Sequence, residues 1–448
     1  MAGGGGELTR ARLLGYGVGS VGTGIFGAVP GLLLLFFLTD TLGVPAGWAG
    51  LVLLLPKAWD VLLNPLVGAW SDRDAGRRGS RTRWILAGAV ALPVFFVAMF
   101  AVPVDGALAG GLWVAVAFLL AATAYSPYQV TYVALPAEMT DDKLARTRIV
   151  SWRIVALAVG ILLAGGLAPA LVSAGGEGRA GHALMGLVIG AVLAAAMVAA
   201  ALSTRWVRSR PARPLGLRAS FALARGNRAF TLLLATYVLQ SLAVSVMLAA
   251  APYLATYRLD DYGWTSVLFV ALVAPSLVAV PLWVRAARRF GKAPCLVAAT
   301  AGYAAVTLSL LLTAGPDRAW WVVGQCALLG TGYAAMQLLA FSLLPDTISD
   351  DEGRTGRRQA GAFTGVWTAG ETVGAAAGPA LYAAVLAVSS FVSAPADERV
   401  EQPASAITGV LVGMTVLPAV LLAVSLPLLA RFARSVRASA AVAPVVPA

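Results

Sequence analysis

The sequence predicts an all-α membrane protein whose twelve transmembrane helices form two six-helix bundles. Only 12% of its 448 residues are charged and 59% are hydrophobic, whereas soluble domains carry about 25% charged residues. The apolar runs reach about 20 residues, the length of a helix that crosses a bilayer. Because lipid cannot satisfy backbone hydrogen bonds, spans of this length are helices. In addition, the two halves of the chain share a repeated motif.

Twelve apolar spans account for most of the chain. Their predicted limits are 14–38, 47–70, 84–104, 109–135, 149–173, 182–204, 229–256, 263–285, 294–314, 319–344, 359–391 and 404–430. Each is long enough to cross the hydrocarbon core once.

Lysine and arginine concentrate in alternate connections between the spans. Most of the 33 basic residues lie in the amino-terminal head, the loops after even-numbered spans and the tail. Such loops face the cytoplasm, so we predict a multi-pass protein of the plasma membrane with both termini cytoplasmic. This distribution explains the net charge of +12 without nucleic-acid binding. We expect a monomer whose partners are the lipid bilayer and a small-molecule solute.

The longest basic loop divides the spans into two sets of six. The predicted organisation is an N-terminal bundle at 1–204, a cytoplasmic linker at 205–228, a C-terminal bundle at 229–430 and a disordered cytoplasmic tail at 431–448.

A motif after the fourth span recurs after the tenth. Residues 135–147 read LPAEMTDDKLART and residues 344–355 read LPDTISDDEGRT. The equivalent positions indicate a parallel repeat of two six-helix units. A molecule of this kind places a site between its halves at mid-depth and opens it to each side in turn.

Asp60 is the acidic residue that the predicted spans place deepest in the second helix. A helix rises about 1.5 Å per residue, so Asp60 lies roughly 18 Å from Asp72. That distance exceeds half of the ~30 Å hydrocarbon core. An intramembrane carboxylate is costly, so a functional role is the first hypothesis.

The connection after the second span carries a recognisable signature. Its residues are Gly68, Ser71, Asp72, Arg73, Gly76, Arg77 and Arg78. They resemble the loop signature of the major facilitator superfamily. The wider pattern, which includes Trp59–Asp60, Asn64–Pro65 and Arg153, is similar to the glycoside–pentoside–hexuronide:cation symporter branch of that superfamily.

This resemblance implies a sugar–cation symporter with the major facilitator fold, but several site residues depart from the branch. Where the branch has a Lys-Asp pair on the first helix, this chain has Thr23 and Gly24. One of two cation-site aspartates is retained as Asp60, and the second reads Asn64. A further aspartate reads Gln129. A lysine of the eleventh helix falls on Thr372, beside Glu371.

The coupling ion is predicted from Asp60, Asn64 and Lys57. One carboxylate and one amide oxygen a turn apart make a poor sodium site, whereas one buried carboxylate suffices for a proton. We therefore favour H⁺ over Na⁺. The alternative is a structural ion pair between Lys57 and Asp60, three residues apart.

Glu371 is the second candidate for ion coupling. It lies thirteen residues, about 20 Å of helix, beyond Arg358, which again corresponds to mid-depth. It could carry a proton or bind a cationic group of the solute. The alternative is a hydrogen bond to another helix.

The solute site is predicted to use aromatic, amide and hydroxyl side chains with one arginine. These residues are Thr23, Tyr128, Gln129, Tyr132, Arg153, Tyr237, Gln337, Trp367 and Thr372. Helix packing is the alternative for the uncharged residues, and for Arg153 it is a side chain that reaches the cytoplasmic surface.

Charged residues near the predicted cytoplasmic helix ends are candidates for gating. They are Asp72, Arg73, Arg77, Arg78, Asp350 and Arg358. Opposite charges there could pair between the bundles while the cytoplasmic side is closed. The alternative, a plain topology signal, explains the arginines and leaves Asp72 unexplained.

The predicted function is secondary active transport of a small polar solute, sugar-like by resemblance, by alternating access. Export of amphipathic metabolites or drugs and uncoupled facilitation are the alternatives. The sequence has no paired catalytic acids, Ser/His arrangement or metal-ligand spacing, so neither an enzyme nor a bound metal or cofactor is predicted.

Overall fold

The computed structural model describes residues 9–140, 142–208, 226–355, 360–396, 398 and 400–442. Within these ranges the chain is helical, and its only β pairing is an isolated bridge between Leu42 and Pro395. Twelve of the described helices are long and apolar enough to cross a membrane, which confirms the predicted class and number of spans.

The first compact unit contains six helices and the segment Phe391–Pro403. Its helices are α1 (Arg10–Val29), α2 (Ala46–Arg78), α3 (Thr82–Phe100), α4 (Ala107–Met139), α5 (Lys143–Leu162, continued at Ala168–Ala174) and α6 (Arg179–Ser203). Single π-helical turns extend α1 at Pro30–Leu34 and join the two parts of α5 at Leu163–Leu167.

The second compact unit contains the other six helices. They are α7 (Arg228–Arg258), α8 (Trp264–Phe290), α9 (Lys292–Thr313), α10 (Ala319–Thr355), α11 (Ala360–Val388) and α12 (Ala404–Val442). Residues 209–225, which form most of the predicted linker, lie outside the described residues.

The two units repeat the same helix pairing. In the first, α1 packs on α5 and α6, while α4 packs on α2 and α3. In the second, α7 packs on α11 and α12, while α10 packs on α8 and α9. Each helix therefore has its counterpart six positions later, as expected for a parallel repeat.

Local signals set several helix ends. The Thr9 hydroxyl accepts from the Arg12 N–H at 3.4 Å and caps α1, and the Asn227 side chain accepts from the Phe230 N–H at 2.9 Å and caps α7. Both oxygens satisfy an N–H that the helix leaves unpaired. Gly79, with φ of +70°, ends α2 in the left-handed conformation that glycine adopts without strain.

Three helices continue furthest beyond their predicted spans. Helix α2 continues to Arg78 and α10 to Thr355, well past the apolar runs that end at 70 and 344. Hydropathy marks where lipid contact stops, whereas backbone hydrogen bonding continues through polar residues. Helix α12 likewise continues to Val442, so predicted disorder is wrong for residues 431–442. Extending an existing helix through alanine and arginine costs little.

Candidate functional site

Asp60 lies in the middle of α2 and is only 5% exposed. Its Oδ1 atom has no hydrogen-bond partner in the described chain. The Lys57 ammonium lies 5.8 Å from the centre of the Phe26 ring, and the ion pairs of the described residues do not include Lys57 with Asp60. The predicted salt bridge is therefore not formed, although Lys57 still attracts the Asp60 carboxylate electrostatically.

Asn64, one turn after Asp60, is already bonded to another helix. Its Oδ1 accepts a hydrogen bond of 2.6 Å from the Ser126 hydroxyl on α4. The same two helices are joined by the Trp59 indole, which donates to the Thr123 hydroxyl at 3.0 Å. One acceptor position of the Asn64 amide is thus used within the fold.

Tyr128 and Tyr132 stack on the inner face of α4, with ring centres 5.1 Å apart. The Tyr132 hydroxyl donates to the Tyr16 backbone oxygen at 2.6 Å and lies 2.9 Å from the Ser20 hydroxyl. Tyr132 therefore holds α4 against α1. Tyr128 is fully buried, and its hydroxyl has no partner in the described chain.

Gln129 and Arg153 carry further unpaired polar atoms. Among the described residues, Gln129 Oε1 and Arg153 Nε are buried without hydrogen-bond partners. The Arg153 guanidinium lies 5.9 Å from the Tyr132 ring centre, and Tyr125 interacts electrostatically with both Asp60 and Arg153. Buried polar atoms in native proteins are normally bonded, so these two atoms can still accept or donate a further hydrogen bond.

Four predicted residues of the second unit meet at one place. The Tyr237 hydroxyl on α7 lies 2.9 Å from Glu371 Oε1 on α11 and 2.9 Å from Gln337 Oε1 on α10. Gln337 Nε2 donates to the Tyr333 hydroxyl at 3.0 Å. Trp367 stacks on Tyr237 with ring centres 4.5 Å apart. The predicted helix–helix hydrogen bond of Glu371 is therefore present.

The two predicted threonines are bonded to their own helices. Thr23 donates to the Ser20 oxygen at 3.1 Å, and Thr372 donates to the Thr368 oxygen at 2.9 Å. Thr23 is buried and Thr372 is half-buried. Their hydroxyls keep acceptor capacity only.

Asp72 pairs inside the first unit with an arginine that the gating prediction did not include. Arg81 donates to Asp72 at 2.5 Å, to Glu138 at 2.9 Å and to the Ser71 hydroxyl at 3.0 Å. Burial lowers the pKa of the Arg81 guanidinium, but hydrogen bonds to Glu138 and Asp72 outweigh burial, and the net pKa is raised.

The other predicted gating residues are at the surface or outside the described chain. Arg73, Arg77 and Asp350 are exposed. Arg78 pairs with Asp74 at 2.8 Å, one turn away on the same helix. Arg358 lies outside the described residues.

Sequence reasoning missed the contacts of Arg81 and Ser126. Arg81 is one of a cluster of arginines, and only its 5% exposure separates it from its neighbours. Its place in the short connection between α2 and α3, nine residues after Asp72, is the only sequence signal for it, and the contact with Glu138 on α4 has none.

A family model described as MFS/sugar transport protein matches residues 15–433. The chain is 30% identical to the inner membrane symporter YicJ of Escherichia coli (strain K12) over 194 residues, which are 43% of this chain and 42% of YicJ. It is 26% identical to a proposed sulfoquinovose importer of Salmonella typhimurium over 372 residues, 80% of this chain and 77% of that protein.

The relatives with the higher sequence identity match only part of this chain. The chain spans 32% to 42% of the length of three symporters, YicJ among them, to which it is 30% to 35% identical. Among solved structures, the nucleoside transporter NupG matches with a TM-score of 0.64 over 95% of this chain and 99% of NupG. At 14% identity, this likeness shows the fold alone.

Proposed function

This chain belongs to the MFS/sugar transport protein family, and from that premise we propose that it is a proton-coupled secondary transporter of a small polar organic solute. The twelve described helices that are long and apolar enough to cross a membrane, and the two repeated units, agree with alternating access, in which one site is opened to each side of the membrane in turn.

The state of Asp60 carries the proposal of ion coupling. Asp60 is 5% exposed, lies mid-helix, and has a carboxyl oxygen without a partner in the described chain. Burying an ionisable group with an unbonded oxygen is costly, so such a residue inside a membrane span is a candidate for function. Reversible proton binding is such a function.

The surroundings of Asp60 suit a proton better than a sodium ion. Sodium needs several oxygen ligands, and the oxygen of Asn64 already accepts from Ser126. Asp60 is then the only carboxylate among the described residues of α2 before Asp72. A proton requires no further ligand.

The solute is proposed to be sugar-like and to carry an acidic or strongly hydrogen-bonding group. Arg153 has a buried N–H without a partner in the described chain, and Gln129 has a buried oxygen in the same condition. A guanidinium binds carboxylates and sulfonates through paired N–H donors. The name of the Salmonella typhimurium relative, which gives it import of a sulfonated sugar, supports this class.

Uptake into proteoliposomes tests the proposal. Purified protein is exposed to a panel of radiolabelled neutral sugars, sugar acids and sugar sulfonates, with and without an inward proton gradient. We expect accumulation of at least one anionic sugar that collapses when a protonophore is added. Flux that is indifferent to proton and sodium gradients would establish facilitation, and transport of amphipathic dyes alone would establish the exporter alternative.

A further inference from the structure

The Tyr237 hydroxyl lies within hydrogen-bond distance of two acceptor oxygen atoms. It lies 2.9 Å from Glu371 Oε1 and 2.9 Å from Gln337 Oε1. A phenol has a single hydrogen to donate. Tyr237 can therefore donate to only one of the two side chains. In the other contact, Glu371 or Gln337 must be the donor, so the hydrogen bonds of the three side chains depend on one another.

Two arrangements satisfy every atom. When Glu371 is protonated, its O–H donates to Tyr237, Tyr237 donates to Gln337 Oε1, and Gln337 Nε2 donates to the Tyr333 hydroxyl, 3.0 Å away. When Glu371 is ionised it accepts only, so Tyr237 must donate to it. Gln337 then has to turn its amide over, so that Nε2 donates to Tyr237 and Oε1 accepts from Tyr333.

We propose that Tyr237 and Gln337 form a relay that transmits the protonation state of Glu371 to the hydroxyl of Tyr333. With Glu371 protonated, the Tyr333 hydrogen is free to donate to an oxygen of the solute. With Glu371 ionised, the Tyr333 hydroxyl donates its hydrogen bond to Gln337 Oε1 and is no longer available to the solute. Glu371 gains or loses one solvent proton, and the other three groups keep their own hydrogens. The inference rests on the proposed transport function and places a second proton-binding group in the second unit.

The surroundings hold the relay in place. Trp367 stacks on the Tyr237 ring at 4.5 Å, and Phe341 meets that ring edge-on at 5.6 Å. Tyr237 is 2% exposed, so its hydroxyl cannot turn to water. Tyr333 and Gln337 lie one turn apart on α10, and both residues are half-buried.

Few titratable groups compete with the relay for the Glu371 proton. Helix α11 packs against α7, α10 and α12. Of these, α7 presents Tyr237 and α10 presents Tyr333, both of which interact with Glu371. Helix α12 has no charged residue before Arg431.

Infrared difference spectroscopy between acidic and alkaline pH tests the relay with the proton as the only ligand. The full chain in liposomes should show a carboxylic acid band that is lost in Glu371→Gln. Glutamine amide and tyrosine phenol bands should change with it. In Gln337→Leu the Glu371 band should remain while the Tyr333 contribution, defined by Tyr333→Phe, disappears. The matched control is Tyr303→Phe, since the Tyr303 hydroxyl donates to Met247 Sδ in the same unit; it should leave all bands in place.

Isotope labelling of glutamine side chains in the unchanged protein gives the same answer without a substitution. An amide band that does not move when Glu371 titrates, or a Tyr333 contribution that survives in Gln337→Leu, would overturn the relay. Absence of any Glu371-dependent acid band would overturn it as well. Failure of proton-coupled uptake with these spectra intact would reject the proposed function alone.

Discussion

Arg81 Nε donates to Glu138 Oε1 at 2.9 Å, and this contact ties the α2–α3 connection to the end of α4. In the second unit, Lys292 at the start of α9 donates to Asp346 on α10 at 2.6 Å. Both units thus join the connection between their second and third helices to their fourth helix with an ion pair. The first pair is buried and the second is largely exposed, so removing one partner should cost more stability in the first pair than in the second.

Replacing Arg81 should destabilise the first unit. Arg81→Met leaves Asp72 and Glu138 without their shared cation, and removing one partner of a buried ion pair costs about 3 kcal/mol. We expect a lower unfolding temperature in detergent, followed by intrinsic fluorescence. Arg77→Met, at an exposed position of α2, is the matched control and should change little. Equal unfolding temperatures would show that the cluster has no net effect.

The stability difference between wild type and Arg81→Met should change little with pH near neutrality. The pKa of Arg81 is raised in the fold, so its stabilising charge is fully present below the unfolded pKa and is lost only as the pH rises through the folded value. Ordinary arginine titrates above about 12. The difference between wild type and Arg81→Met should therefore be the same at mildly acidic and mildly alkaline pH. A difference that vanishes at mildly alkaline pH would contradict this assignment.

Asp60→Asn should uncouple transport from protons. The amide keeps the size of the side chain and removes its ability to bind and release a proton. We expect loss of accumulation driven by a proton gradient, with exchange of labelled solute retained because exchange requires no net proton movement. A dye inside proteoliposomes measures the proton flux. Asp105→Asn is the control, since that carboxylate is fully exposed. Accumulation that persists in Asp60→Asn would remove Asp60 from the mechanism.

Asn64→Asp should introduce a response to sodium. The change places a second carboxylate one turn from Asp60, beside the Ser126 hydroxyl that now donates to Asn64 at 2.6 Å. Two anionic oxygens and a hydroxyl give the oxygen-rich environment that hard cations prefer. Uptake, or the unfolding temperature, should rise with added sodium chloride relative to potassium chloride. Asn64→Leu should show no such rise, and an identical response of both variants would contradict the argument.

The position of a residue along its helix could be predicted from the sequence, because it follows from counting residues. Asp60 and Glu371 were expected well inside their helices, and both lie within long helices; their mid-membrane depth stays a prediction. Twelve spans followed from apolar run lengths, and the repeat of two six-helix units followed from one repeated motif. These features depend on composition and periodicity alone.

Side-chain partners could not be predicted, because they depend on how each helix is rotated against its neighbours. A residue count places Asn64 one turn from Asp60 but does not reveal that its oxygen accepts from Ser126. Tyr132 was expected to bind solute, and its hydroxyl instead bonds the backbone of Tyr16. Lys57 is three residues from Asp60 but lies over Phe26.

The close crossing of α1 and α5 should tolerate no side chain at Gly160. A Cβ atom there would lie 2.3 Å from the Val21 backbone oxygen, and one at Gly24 would lie 2.6 Å from the Leu157 oxygen. Backbone atoms cannot move aside as a flexible side chain can, so Gly160→Ala should separate the helices, lower the unfolding temperature and reduce transport. Gly27→Ala in α1 is the matched control, because a Cβ there meets no atom within 4 Å in the described chain. Alanine is favoured over glycine within a helix by about 0.5–1 kcal/mol, so Gly27→Ala should hold or raise the unfolding temperature. If Gly160→Ala behaved like Gly27→Ala, α1 and α5 would have to pack less closely than the fold shows.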